Sequence, residues 1–161
     1  PRTDEKGFSF AIPPGIKYTR ATWSTRVPDT LHIAMIHALN FSAGWWLILA
    51  AFVTGAAIGL GFHREDFLGG YGSFRRRLAR LGHIALAALG GLNVLYGLSP
   101  IPASVWPGWF LLAGGIAMPV VCFLSAWKEI FRHLFFIPVV LLVSGVGLII
   151  YLTRGTGDLL Q

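Results

Sequence analysis

Four long apolar stretches are separated by short polar segments along the chain, at roughly 43–62, 78–98, 105–127 and 134–152. Each is about 20 residues long, the length that an α-helix needs to cross a hydrocarbon core of about 30 Å. Because no water is available there for backbone N–H and C=O groups, stretches this long and apolar are expected to be helical. The pattern predicts an all-α integral membrane protein with four transmembrane helices in a bundle.

A polar, proline-bearing segment at 1–30 precedes the first apolar stretch, so we expect an extended outer-face tail followed by a four-helix transmembrane domain at 31–161. The Pro-Pro-Gly run at 13–15 rules out a continuous helix in the tail. The tail also carries too many aromatic and aliphatic side chains for a solvated linker. We therefore expect residues 7–27 to lie along the outer face of a neighbouring subunit.

Individual residues in and near the apolar stretches predict where the first helix starts, where helices pack closely and where they bend. The first helix is predicted to start well before the membrane core, over about 31–62. Gly55 and Gly59 form a GxxxG pair, a spacing that lets membrane helices approach closely. Pro119 and Pro138 fall inside the third and fourth apolar stretches, where proline is expected to bend or loosen a helix.

Composition excludes several classes of function. The chain has 161 residues, 55% of them hydrophobic, so four spans leave no room for a second globular domain. Its net charge of +6 comes mostly from cations that flank spans, without a basic helix face interleaved with aromatics, so nucleic-acid binding is not expected. Cys122 is the only cysteine, which excludes an intrachain disulfide and a cysteine-ligated metal site; we interpret it as a packing residue.

Basic residues are concentrated in two of the three links between spans. The link at 99–103 carries no charge. The cations of the other two links are Arg64, Arg75, Arg76, Arg77, Lys128 and Arg132. Because short basic loops stay in the cytoplasm, we expect both termini outside in a bacterial-type inner (cytoplasmic) membrane.

Histidines are the residues with the clearest ligand chemistry: His32, His37, His63, His83 and His133. His83 falls about one turn inside the second apolar stretch, and His133 adjoins the start of the fourth. Chain topology places these two at similar depth on helices that run in the same direction. A b-type haem takes one axial imidazole from each side, usually from two helices of a bundle. We therefore expect His83 and His133 as candidate haem ligands between helices 2 and 4.

Two further features fit a haem at this place. Small or short side chains follow His83 at helical spacing and would leave room for a porphyrin: Ala87, Gly90, Gly91 and Val94. Cations in the same layer would pair with its propionates: Arg76, Arg77, Arg80 and Arg132. The four-span layout with histidines at helix ends resembles small b-type cytochrome membrane anchors in general; no named family is matched residue by residue.

The same residues have a structural interpretation that stays open. Histidine at a membrane boundary reaches the headgroups or pairs with a carboxylate, arginines set topology, and small residues pack helices. A metal site or a quinone pocket at the histidines is a further alternative. No Asp, Glu, Lys or Arg lies at mid-depth in a span, which argues against a proton pump or ion-coupled transporter.

The expected function is therefore that of a small membrane subunit of a larger energy-transducing (electron-transfer) complex, with haem b as candidate cofactor. The chain lacks a Ser/His/Asp set, an H-E-x-x-H run and a Gly-rich phosphate loop, so no catalytic activity of its own is expected. The alternative is a cofactor-free accessory, structural or assembly subunit of a respiratory or photosynthetic complex. In both, the partners are other membrane subunits and the lipid bilayer.

Overall fold

The computed structural model describes the backbone of residues 29–100 and 104–157, with side chains for 30–100 and 104–154. Within these ranges the chain is all-helical, without strands. Its four α-helices are α1 (Asp29–Gly61), α2 (Phe74–Leu98), α3 (Trp106–Trp127) and α4 (Phe136–Gly157). Short 3₁₀ helices at Phe67–Gly69 and Glu129–Phe135 lie in the two basic links.

Four helices of the described chain are long and apolar enough to cross a membrane, which makes this a multi-pass membrane protein. The early start of the first helix is confirmed, because α1 runs over 33 residues from Asp29. At 1.5 Å per residue it measures roughly 50 Å, well beyond the hydrocarbon thickness. Most of the predicted tail at 1–30 lies outside the described residues; Asp29 and Thr30 belong to α1.

Helices that follow one another in sequence pack on one another. α1 packs on α2, α2 on α3 and α3 on α4, with a smaller contact between α1 and α3. Within the described chain α4 has no comparable contact with α1 or α2. In the most apolar part of α3, 44% of residues are buried, against 11% in α1 and in α4. The helices therefore form an open row, with α1 and α4 at its edges.

Glycines bring α1 and α2 into backbone contact. A Cβ added at Gly44 would lie 2.6 Å from the carbonyl oxygen of Gly90, and one at Gly97 would lie 2.7 Å from the backbone nitrogen of Phe41. Any side chain at these positions would push the helices apart. Close approach through small residues drives helix association in lipid, where there is no hydrophobic driving force between helices.

Both prolines lie inside the third and fourth candidate spans, as predicted, and the bend expected at each stays a prediction. Pro119 lies inside α3 and is buried. Pro138 lies in the first turn of α4, where its missing N–H has no intrahelical partner to lose. Because proline opposes helical backbone in the residues before it, the chain before Phe136 is 3₁₀ and the fourth α-helix begins later than predicted.

The link between α1 and α2 folds back onto the end of α1. Leu68, Gly69 and Gly70 all have positive φ values of 57°, 86° and 89°, which turn the chain sharply. A Cβ added at Gly61 would lie 2.4 Å from the ring of Phe67, so this glycine makes room for the returning aromatic side chain. Ser73 then starts α2 as its N-cap, with its Oγ accepting a hydrogen bond from Arg76 N at 3.2 Å.

Candidate functional site

His83 lies in the first half of α2, with its half-buried imidazole directed at α1. A Cβ added at Gly55 would lie 2.6 Å from His83 Cε1. Any side chain at position 55 would therefore displace the ring. The first glycine of the GxxxG pair thus serves to seat a histidine, whereas a Cβ at Gly59 would meet no atom within 4 Å.

Thr54 lies within hydrogen-bonding distance of this histidine. Its hydroxyl donates to the Ala50 carbonyl at 2.8 Å, the ordinary back-bond of threonine in a helix. His83 Nδ1 lies 3.4 Å from the same Oγ1, at the long end of hydrogen-bond distances. With the hydroxyl proton directed to the helix carbonyl, Oγ1 can accept a hydrogen bond from an imidazole that carries its proton on Nδ1. That tautomer would leave the lone pair on Nε2.

The imidazole borders a groove of about 440 Å³ between α1 and α2. Besides His83 the groove is lined by Ile48, Ala51, Phe52, Gly55, Ala56 and Ala87. None of these six side chains carries a polar atom, so the imidazole is the polar side-chain group of the groove. No second histidine lines it.

The small residues predicted beside His83 have different roles. Ala87 lines the groove with it. Gly90 and Val94 instead meet α1, since a Cβ at Gly44 would lie 2.6 Å from Gly90 O and 2.7 Å from a Val94 methyl. A Cβ at Gly91 would meet nothing within 4 Å. Most of the space that a porphyrin would need along α2 is therefore taken up by α1.

His133 lies elsewhere in the chain. It is exposed, in the 3₁₀ helix Glu129–Phe135, which packs against α3 and the start of α4. His83 faces α1, whereas the segment that carries His133 packs against α3, the other neighbour of α2. The groove beside His83 does not include His133. Haem ligation by the two imidazoles stays a prediction.

The four arginines predicted as propionate partners fall into two groups. Arg76 is only 6% exposed, with Cζ 4.2 Å from the ring centre of Phe62 and 5.3 Å from that of Tyr71. Arg80 Cζ lies 5.6 Å from the same Tyr71 ring. These cations stack on aromatic rings and hold the link against α2. Arg77 and Arg132 are exposed.

The other histidines occupy ordinary places. His32 and His63 are exposed. His37 is half-buried, stacks on the Tyr96 ring with centroids 4.8 Å apart, and has Nδ1 3.0 Å from the Tyr96 carbonyl oxygen. His37 therefore contributes to the contact between α1 and α2.

A polar junction lies at that end of the helices, and of its two amides sequence reasoning pointed to Asn93 and missed Asn40. Asn40 and Asn93 are fully buried, and Tyr96 is 3% exposed. Asn93 Nδ2 donates to Leu89 O at 2.8 Å and lies 3.4 Å from Leu111 O of α3, a contact between helices that its position in a span suggested. The signal for Asn40 was an amide side chain inside a long apolar helix.

No metal centre is assembled in the described part of the chain, where no group of three His, Cys, Asp or Glu side chains could hold an ion. No family model, curated protein or solved structure matches this chain. The functional argument therefore rests on the groove beside His83, the open row of helices and the basic end.

Proposed function

We propose that this chain is a small accessory subunit of a larger energy-transducing (electron-transfer) membrane complex, with a structural role in that complex. The observation that carries the proposal is the uneven burial of the row, with 11% of the most apolar part of α1 and of α4 buried against 44% for α3. The two edge helices, each with one main neighbour, have most of their surface available for other subunits.

Three glycines whose surroundings are open among the described residues support the same proposal. A Cβ added at Gly59 in α1, Gly91 in α2 or Gly147 in α4 would meet no atom within 4 Å. A glycine inside a helix costs roughly 1 kcal/mol relative to alanine. In membranes small residues mark the faces where helices meet. Contact with helices of other subunits explains why glycine stands at these three positions, where the described chain makes no close contact of its own.

Bulky substitutions at these glycines test the proposal. Gly59→Leu and Gly147→Leu have room in the isolated chain, so we expect normal insertion and helix content. In mild detergent each is expected to reduce co-purification of other membrane subunits by about tenfold, as loss of about 1.4 kcal/mol of contact would do. Val53→Leu, on an exposed residue of α1, is the matched control. Unchanged co-purification of both glycine variants would contradict the proposal.

The geometry favours the accessory role over haem ligation by His83 and His133. Of these two histidines, His83 borders the groove between α1 and α2, and its imidazole is the single candidate ligand among the residues that line it. A reduced-minus-oxidised spectrum of the purified chain and complex tests this choice. A b-type α-band that disappears in both His83→Ala and His133→Ala and persists in His63→Ala would establish the haem and overturn the cofactor-free role.

The proposed location is a bacterial-type inner membrane with both termini outside. In support, Arg75 and Lys128 line one groove, so the two basic links share one end of the helices. Short basic links of this kind stay in the cytoplasm. In intact cells an impermeant thiol reagent should modify Ser9→Cys and not Ser73→Cys. The reverse labelling would invert the topology.

A further inference from the structure

An open groove of about 700 Å³ lies at the basic end of the helices. Ala57 and Ile58 of α1, Ala79 of α2, and Phe123 and Ala126 of α3 form its walls. The volume is within the range of about 300–1,000 Å³ that is usual for small-molecule sites. The walls are apolar and their small residues leave an uninterrupted surface, so the groove is suited to a hydrocarbon chain.

Two cations lie at the mouth of this groove. Arg75 is in the first turn of α2 and Lys128 directly follows α3; both are exposed and both line the groove. No carboxylate is among the lining residues. Trp127, 78% exposed, lies beside Lys128, as expected of an aromatic residue at the level of the headgroups. A net positive mouth therefore opens onto an apolar groove at the membrane surface.

The depth of the groove suits a lipid molecule. Thr54, its innermost residue on α1, precedes the end of that helix at Gly61 by about two turns, or roughly 10 Å. Arg75 and Lys128 are at the end of α2 and α3 that faces the basic links. A ligand that fills the groove would thus have its charged group at the surface and its apolar part inside the hydrocarbon region.

We propose that this groove binds an anionic phospholipid of the surrounding leaflet, with its phosphate between Arg75 and Lys128 and an acyl chain along the apolar walls. Basic pockets between transmembrane helices are known to hold lipid headgroups of this charge. The site does not depend on the chain belonging to a complex, since α1, α2 and α3 form it within one molecule.

The cations of α2 supply matched controls. Arg76 is held between aromatic rings and Arg77 is exposed, and neither lines the groove. If the attraction were only the summed charge of the surface, Arg75 and Arg77 would be equivalent. If the groove binds the lipid, Arg75 matters and Arg77 does not.

The experiment is native mass spectrometry of the full chain, released from vesicles that contain equal amounts of phosphatidylglycerol and phosphatidylcholine. We expect retention of phosphatidylglycerol over phosphatidylcholine. Arg75→Gln and Lys128→Gln should each lower that retention about fivefold, as loss of about 1 kcal/mol per surface cation would do. Lys128→Arg should preserve it, which separates loss of charge from misfolding, and Arg77→Gln should leave it unchanged.

A second pair of variants tests the apolar walls without changing charge. Ala57→Phe fills the groove and should lower retention of either lipid, whereas Ala113→Phe, at an exposed position of α3 outside the groove, should not. Equal losses in Arg77→Gln and Arg75→Gln would overturn the proposal, as would equal retention of the two lipids. Release of a neutral quinone from the native protein in place of phospholipid would overturn it as well.

Discussion

The two ends of the helices use polar side chains in opposite ways. At the basic end Arg75, Arg77 and Lys128 point outward and a groove of about 700 Å³ stays open between the helices. At the other end the polar groups turn inward: Asn40 is fully buried, and His37 stacks on the buried Tyr96.

Apolar space alone does not distinguish the ends. A second groove of about 540 Å³ lies on α1 and the start of α3, lined by residues such as Met35, Leu39 and Trp109. Its polar lining residues are His32 and Ser42, and no Arg or Lys is among them. Charge at the mouth, and not size, therefore sets the basic-end groove apart. At the opposite end the buried amide of Asn93 joins α2 to α3 through Leu111 O.

The largest expected effect is at the end of the helices opposite the basic links, where Asn40 and Tyr96 are buried. A Cβ at Gly108 would lie 2.6 Å from an Ile36 methylene carbon and 2.9 Å from Tyr96 Cε1. Gly108→Ala should therefore destabilise the protein by about 2 kcal/mol, as overpacking typically does. Unfolding in mixed micelles with increasing SDS measures this.

The matched glycine near the basic end is Gly82, where the nearest atoms to an added Cβ are Phe123 Cζ at 3.0 Å and Cys122 Cβ at 3.1 Å. The gain in helix propensity, about 1 kcal/mol, offsets this milder crowding. Gly82→Ala is expected to change stability by less than about 1 kcal/mol. If Gly82→Ala proved as destabilising as Gly108→Ala, the two ends would be equally tight and the comparison would fail.

At the basic end the strongest single contribution is expected from Arg76. Its guanidinium lies 4.2 Å from the Phe62 ring centre and is almost fully buried. A cation–π contact contributes about 0.5–1 kcal/mol at an exposed site and about 2 kcal/mol or more when it is desolvated. Arg76→Gln should thus destabilise by about 1–2 kcal/mol and expose the link at 62–73 to proteases, whereas Arg77→Gln should stay within about 0.5 kcal/mol of the parent. Similar protease resistance in both variants would argue against the stacked arrangement.

The two buried amides, Asn93 and Asn40, allow a hydrogen bond between helices to be compared with one inside a single helix. Asn93 reaches Leu111 O on another helix, whereas Asn40 donates to Ile36 O of its own helix at 2.8 Å. Interhelical hydrogen bonds in membrane proteins contribute about 0.6 kcal/mol on average. Asn93→Leu is expected to cost about that much. Asn40→Leu should be near neutral, because among the described residues its Oδ1 has no partner to lose. A larger cost for Asn40→Leu would indicate an interaction of Oδ1 beyond those described.

The membrane spans were predictable because length and apolarity are dictated by the bilayer. The number of helices, the long α1 and the internal Pro119 all follow from that solvent. The start of α4 could in principle also have been predicted from the sequence. Pro138 opposes an α-helix in the residues before it, and His133 accordingly lies on the 3₁₀ segment that precedes α4.

Which faces meet could not be predicted in the same way. Small residues occur on all four helices, so the pattern did not reveal that Gly55 packs under His83 or that Gly90 packs on Gly44. Propensity and periodicity carry no information on which neighbour a small-residue face selects. For the same reason the sequence suggested that His83 faces the fourth helix, whereas the structure directs it to α1.

The smallest expected effect concerns the hydrogen bond that orients His83. Thr54→Val keeps the shape of the side chain and removes the Oγ1 that lies 3.4 Å from Nδ1. Because this bond is long and the ring is also seated on Gly55, we expect a stability change below about 0.5 kcal/mol. The sensitive measurement is ¹⁵N NMR of the imidazole, which distinguishes a proton on Nδ1 from one on Nε2. In the parent the Nδ1–H form should dominate, and in Thr54→Val the two neutral forms should approach the mixture of a free imidazole. His37 is the internal control, since its Nδ1 lies 3.0 Å from the backbone carbonyl of Tyr96, an acceptor that the substitution leaves in place. An unchanged His83 spectrum would mean that Thr54 does not set its proton, and that Nε2 is not held available to the groove.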